Sequence, residues 1–230
     1  MKKILITQSN YIPWKGYFDN IAQCDIFVVY DDMQYTKRDW RNRNYIKTPH
    51  GPDWLTIPVN VKGRYFQKIN ETVISDPDWP DSHWHILKQY YSRSTFFKDI
   101  SPWIEELYKN ATYLTITEIN VHFLKAICKF LGINTIFIDS REFTLVEGKT
   151  EKLVAICREL NATEYYTGPS AKNYIDETLF QAEGISLKYF NYAGYAEYPQ
   201  LYEPFEHGVS ILDLILNVGQ DSKKFLKNIK

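Results

Sequence analysis

The chain has 230 residues, 44% of them hydrophobic and 24% charged, with a formal net charge of -1 at pH 7. Such a length makes one large domain or two small ones, and the composition is that of a globular protein. It excludes a global field that would draw nucleic acid or an anionic membrane, and no apolar run nears the ~20 residues that span a bilayer.

Met1-Lys2-Lys3 precedes an apolar run of only Ile4 to Ile6, too short for a signal peptide, which points to the cytoplasm. That run predicts a first strand. A polar loop follows, Gln8-Ser9-Asn10-Tyr11, then Pro13 and Gly16, a helix over Tyr17 to Gln23 and a second strand over Ile26 to Tyr30. Strand, loop, helix and strand in so few residues make a parallel crossover unit, with ligands expected beyond the strands' carboxyl ends. Those ends carry Gln8, Asn10, Asp31 and Asp32.

The alternation then stops. Asn44 to Lys47 and Trp54 to Val59 read as β-runs around a turn at Pro49, Gly51 and Pro52, with Pro58 marking an edge. Glu71 to Ser75 is a third candidate run. Asp78 to Phe97 predicts a helix with Pro80 in its first turn, and Pro102 to Lys109 a shorter one. All six tryptophans fall between Trp14 and Trp103, so residues 33–112 form an aromatic-rich α+β insertion.

From Ile116 the regular pattern resumes. Ile119, Phe123, Ile127 and Leu131 recur at helical spacing up to Gly132. Strands are expected at Thr135 to Ile138, Glu164 to Thr167 and Ile185 to Phe190, with helices over Thr150 to Leu160 and Asn173 to Glu183. The expected fold is therefore α/β, Rossmann-like, a mostly parallel sheet of about five strands. Residues 191–207 read as a Tyr- and Pro-rich loop, Val209 to Val218 as a last helix, and Lys223 to Lys230 as a solvated tail. Residues 1–219 would be one domain, followed by the tail at 220–230. Cys24, Cys128 and Cys157 sit in apolar helical stretches and read as buried free thiols.

Several clusters carry chemistry. Asn10, Tyr11, Trp14, Lys15, Gly16 and Tyr17 lie between a strand and a helix, where backbone N–H groups favour anions. Pro13-Trp14-Lys15-Gly16-Tyr17 resembles the Pro-His-x-Gly-His signature of nucleotidylyltransferases with both histidines replaced, so it cannot supply their positive charge. Asp31, Asp32 and Gln34 suit a ribose, an amine or a magnesium ion, or else cap a turn. Arg41, Asn42 and Arg43 match one diphosphate better than a polymer of phosphates, given the net charge. His83 and His85 are spaced to point apart, which disfavours a shared metal, and His83 is a candidate acid or base with Asp31. Gly168, Ser170 and Lys172 follow a strand and make a second ligand loop; Gly148 to Lys152 is a helix start without the Walker spacing. No metal or cofactor is expected.

Gln8 to Phe18, Asp31 to Tyr35, Trp40 to Asn44, Trp54 to Val59, Thr167 to Lys172 and Val209 to Asp213 together resemble the WbqC-like family, from about residue 4 to 219. Ser9 stands where that family more often has proline. The resemblance implies a bacterial cytoplasmic protein of O-antigen or other surface-polysaccharide synthesis. The expected activity is a transferase acting on a nucleotide-linked sugar, by acyl or aminoacyl transfer to a sugar amine. A nucleotidylyltransferase-like enzyme and a non-catalytic binding protein of an assembly complex are the alternatives. The expected partner is a small molecule rather than nucleic acid or membrane, and a homo-oligomer is compatible with the sequence.

Overall fold

A computed structural model describes residues 1–144 and 146–229; Lys230, the end of the expected tail, lies outside the described residues. The chain opens with β1 (Lys3–Thr7), α1 (Lys15–Ala22) and β2 (Ile26–Val29). An excursion follows: the antiparallel hairpin β3 (Arg43–Thr48) and β4 (Gly51–Thr56), then α2 (Trp79–Tyr91) and α3 (Phe97–Lys109). The alternation resumes with α4 (Ile116–Leu131), β5 (Ile136–Asp139), α5 (Lys149–Glu159), β6 (Glu164–Thr167), α6 (Glu177–Ala182) and β7 (Ser186–Tyr189). It closes with α7 (Ile211–Val218).

Five strands form one parallel sheet in the order β5-β2-β1-β6-β7. The order runs outward from β1 in one direction and then, after β5, from β6 in the other. Period-2 alternation divides the strands' side chains between two faces. Leu5, Phe27, Val29 and Tyr166 pack with α1, α4 and α7 and with the hairpin, α2 and α3 of the excursion. Ile4, Ile6, Val28 and Tyr165 pack with Leu153 and Ile156 of α5 and Phe180 of α6. Cys24, Cys128 and Cys157 are buried free thiols. Among the described residues no helix is long and apolar enough to cross a membrane.

Several boundaries differ from the sequence expectation, for local reasons. The helix expected over Asp78 to Phe97 breaks after Tyr91. Ser94 Oγ donates to the Tyr91 carbonyl and the Phe96 N–H donates to the Leu216 carbonyl, so Phe97 begins α3. Pro102 lies inside α3 rather than at its start. Glu71 to Ser75 is not a strand and makes only single bridges, Val73 to Thr115 and Ile74 to Val59. The helix expected from Asn173 starts at Glu177 instead, where the Asp176 side chain caps the Thr178 N–H. The tail is not simply solvated: Ser222 and Leu226 are buried, and Asp19 accepts from the Lys227 and Asn228 N–H groups.

His83 lies in a buried chain of hydrogen bonds below the hairpin. Its Nδ1 is 2.8 Å from the Tyr11 hydroxyl, itself 2.7 Å from that of Tyr108, and its Nε2 is 3.0 Å from the Thr56 carbonyl. A neutral ring donating to Thr56 and accepting from Tyr11 completes this chain. Burial pushes the imidazole down to about 4, against the bond to Thr56, so it holds no proton at pH 7. The unfolded chain takes up that proton near pH 6.5. The stability this ring contributes is therefore full above about pH 6.5 and lost as pH falls through about 4, by up to about 3 kcal/mol. The melting temperature should fall more steeply between pH 6.5 and 4 in the wild type than in His83→Gln, and parallel profiles would contradict this assignment.

Candidate functional site

Where the strand order reverses, the connections leaving β1 and β6 diverge and leave a crevice at their carboxyl ends. A cavity of about 950 Å³ occupies that place. Thr7, Gln8 and Asn10 at the end of β1 and Thr167, Gly168 and Ser170 at the end of β6 line it. Trp14 and Tyr17 of the α1 entry form one wall, Trp40 and Arg41 another, Lys149 and Lys152 of α5 a third. Phe190, Tyr192 and His207 come from the segment after β7.

The loop after β1 is held by one buried carboxylate. Asp31 accepts from the Ser9 N–H at 2.8 Å, the Ser9 hydroxyl at 2.5 Å and the Thr117 hydroxyl of α4 at 2.7 Å. Burial raises its pKa, while the bonds from Ser9 and Thr117 and the Arg41 charge pull it down. Asn120, one turn further along α4, donates to Ser9 Oγ at 3.0 Å and to the Arg41 carbonyl at 2.9 Å. The same groups thus fix the β1 loop and the backbone of Arg41. Asn44 donates to the carbonyls of Tyr11 and Ile12, across a turn where Ile12 has φ 34°, a costly value for a β-branched residue.

Arg41 is 12% exposed at its side chain, lies 3.7 Å from Asp39, and its Nε has no hydrogen-bond partner among the described residues. Gly148 precedes α5, and its φ of 98° is a backbone conformation that favours glycine. Arg41, Lys149 and Lys152 line the cavity, and among the described residues no Asp or Glu does. Packing sets the aromatic wall: Trp14 meets Tyr192 edge-on at 5.5 Å, and Asn20 donates to the Tyr192 hydroxyl. A Cβ on Gly16 would fall 2.3 Å from the Trp14 ring, so Gly16 gives the indole its place.

A second buried carboxylate secures the segment after β7. Asp213 accepts from Tyr91, Tyr198 and Gln200, and burial raises its pKa against those bonds. Burial lowers the Lys15 ammonium to about 8, while Asp213 and Glu197 draw it up. Its Nζ donates to the Ala196 carbonyl at 2.7 Å.

Of the residues singled out in the sequence, Gln8, Asn10, Trp14, Tyr17, Arg41, Gly168 and Ser170 meet at the cavity. The others lie elsewhere. Asp31, Tyr11 and His83 are buried beneath the loops they hold, and Lys15 is committed to the segment after β7. Gly16 backs Trp14, and Asn42 donates to the Ile57 carbonyl. Asp32 pairs with Lys68 at 2.6 Å, and Gln34 donates to the Tyr65 carbonyl. Arg43 stacks on Trp54 at 3.7 Å, and Lys172 lies over Tyr189 at 4.8 Å. Lys149, Lys152, Tyr192 and His207 were missed as site residues. Gly148-Lys149 directly ahead of a helix was the available signal for the first two; none pointed to His207.

Sheet and cavity define a mixed α/β protein with a large cavity at the carboxyl edge of a five-stranded parallel sheet. The chain belongs to the WbqC-like protein family, whose profile matches residues 8–225. It is 49% identical over 227 residues to the uncharacterized protein Rv1507c of Mycobacterium tuberculosis, a match covering 99% of this chain and 98% of that protein. No solved structure matches the chain significantly.

The network under the β1 loop has a measurable consequence. Asn120→Ala removes the donor to Ser9 and to the Arg41 carbonyl without touching the cavity wall. Urea denaturation should show a loss of about 1–3 kcal/mol, the cost of stranding buried acceptors. Unchanged stability would mean that this junction holds nothing.

Proposed function

We propose that the protein is a cytoplasmic transferase of bacterial surface-polysaccharide biosynthesis that acts on a nucleotide-linked sugar. The reaction is transfer of an acyl or aminoacyl group to a sugar amine. The observation that carries this reading is the charge of the cavity wall: among the described residues three cations and no carboxylate line it, in a chain whose net charge is -1. A diphosphate bridging Arg41, Lys149 and Lys152 meets that wall with charge-assisted hydrogen bonds. The aromatic rings of Trp14, Tyr17, Trp40 and Tyr192 offer faces to a base or a sugar ring. The volume suits a ligand of nucleotide-sugar size. The strand order also agrees with a Rossmann-like reading, in which such ligands lie where the order reverses. Three buried free cysteines favour a reducing compartment.

Roles follow from position. Asp31 and His83 are positioning residues, since neither lines the cavity. His207 does, and burial and the nearby Lys15 lower its pKa, leaving it neutral and able to accept a proton at pH 7. The sugar amine attacks the carbonyl carbon of an activated ester or thioester. A C–N bond forms and the ester or thioester bond breaks; His207 takes the amine proton and passes it to the departing oxygen or sulfur, which leaves as the alcohol or thiol.

The test is calorimetric titration with uridine- and thymidine-diphosphate amino sugars, followed by mass spectrometry with acyl donors. Arg41→Ala and Lys152→Ala should each weaken binding about 10- to 100-fold, and added salt should weaken the wild type. His207→Ala should bind as before and lose transfer. Absence of binding by every nucleotide-linked sugar, or equal binding by the Arg41 and Lys152 variants, would overturn the reading.

A further inference from the structure

Two aromatic side chains are turned outward at one loop tip. Tyr65 is 72% exposed and Phe66 84%, more than any other large apolar side chain among the described residues apart from Met1. Two successive tight turns present them: the Arg64 N–H donates to the Val61 carbonyl and the Gln67 N–H to the Arg64 carbonyl. Gly63, with φ 74°, makes the first turn possible. The rings meet edge to face at 5.0 Å, so they form a paired wedge.

The tip stands on a firm base. Ile69 donates to the Met33 carbonyl, Tyr35 to that of Gln67, and the Gln34 side chain to that of Tyr65. Beneath it Tyr35, Ile69 and Ile116 are buried together. The segments 33–38 and 60–68 are thereby neighbours. They carry Lys37, Arg38, Lys62, Arg64 and Lys68 and no Asp or Glu. Lys68 is neutralised by Asp32; the other four are exposed, and none of them is in a salt bridge among the described residues.

We propose that this tip docks the protein on an anionic lipid surface, with Tyr65 and Phe66 entering the headgroup region and the flanking cations facing lipid phosphates. Aromatic rings favour that boundary, and each Lys or Arg near it gains from the negative surface potential. A projecting wedge suits insertion, whereas single-stranded nucleic acid is held in grooves. The near-zero net charge that argued against a membrane reports the whole chain; opposite charges elsewhere hide a local cluster. Met33 also lines the cavity, so the docked face adjoins the ligand pocket.

Cosedimentation tests this without any ligand. Phosphatidylcholine vesicles are compared with vesicles containing phosphatidylglycerol as well. The wild type should pellet with the anionic vesicles only, and less as salt rises. Lys62→Ser with Arg64→Ser should weaken partitioning about 25-fold, at about five-fold per cation. Tyr65→Ser with Phe66→Ser should weaken it by at least about ten-fold. All four positions are exposed, and circular dichroism melts confirm folding. Arg41→Ala should pellet like the wild type, which separates this surface from the cavity reading. Wild-type protein that stays in the supernatant with both vesicles, or variants that pellet unchanged, would overturn the proposal. So would a concentration-dependent dimer that the aromatic pair of substitutions abolishes, for then the wedge meets a second copy.

Discussion

A carboxylate removed from water must be matched by donors, and Asp31 meets that demand in a way that builds the site. Its partners belong to separate elements: Ser9 follows β1, Thr117 lies in α4, and Asp31 itself follows β2. Leaving such a group without donors would cost several kcal/mol, so the elements cannot drift apart without that loss. Asn120 extends the constraint to Arg41 through its carbonyl, although Arg41 lies in the excursion between β2 and β3. The position of the cation at the cavity thus depends on a charge that does not itself line it.

The opposite rim is organised by the same logic. Asp213 on α7 gathers Tyr91, Tyr198 and Gln200, and the Lys15 ammonium on α1 closes over the segment near Ala196. A stretch with no regular secondary structure is thereby held against α1, carrying Tyr192 and His207 to the cavity. Asp31 and Asp213 serve as buried anchors, while Arg41, Lys149 and Lys152 face the cavity. That separation of charge gives the pocket its cationic character in a nearly neutral chain.

Much of the scaffold was legible because it rests on local periodicity. The apolar runs Ile4 to Ile6 and Ile26 to Tyr30 read as strands and supply β1 and β2, and Gly132 ends α4 with the left-handed geometry its type predicts. Gln8, Asn10, Gly168 and Ser170 reached the cavity because strand ends are where parallel sheets place ligands. The difficulty was in telling a buried polar side chain from an exposed one. His83 looks like an acid or base in sequence, yet the packing of Tyr11 and Tyr108 around it makes it a neutral spacer. Arg43 differs from Arg41 by two positions, yet it opens β3 and stacks on Trp54 of the paired strand, while Arg41 precedes the hairpin and reaches the cavity wall. His207 depends on long-range anchoring through Asp213, which no local pattern records.

The central claim is that loops from both halves of the sheet form one binding site for an anionic, nucleotide-linked ligand. A crystal structure of the protein soaked with a uridine-diphosphate amino sugar tests it most directly. The account predicts diphosphate density between Arg41 and the Lys149–Lys152 turn of α5, with an aromatic wall residue against the base or sugar. Density for that ligand anywhere other than this cavity, or a well-occupied cavity ligand lacking any contact to Arg41, Lys149 or Lys152, would contradict it.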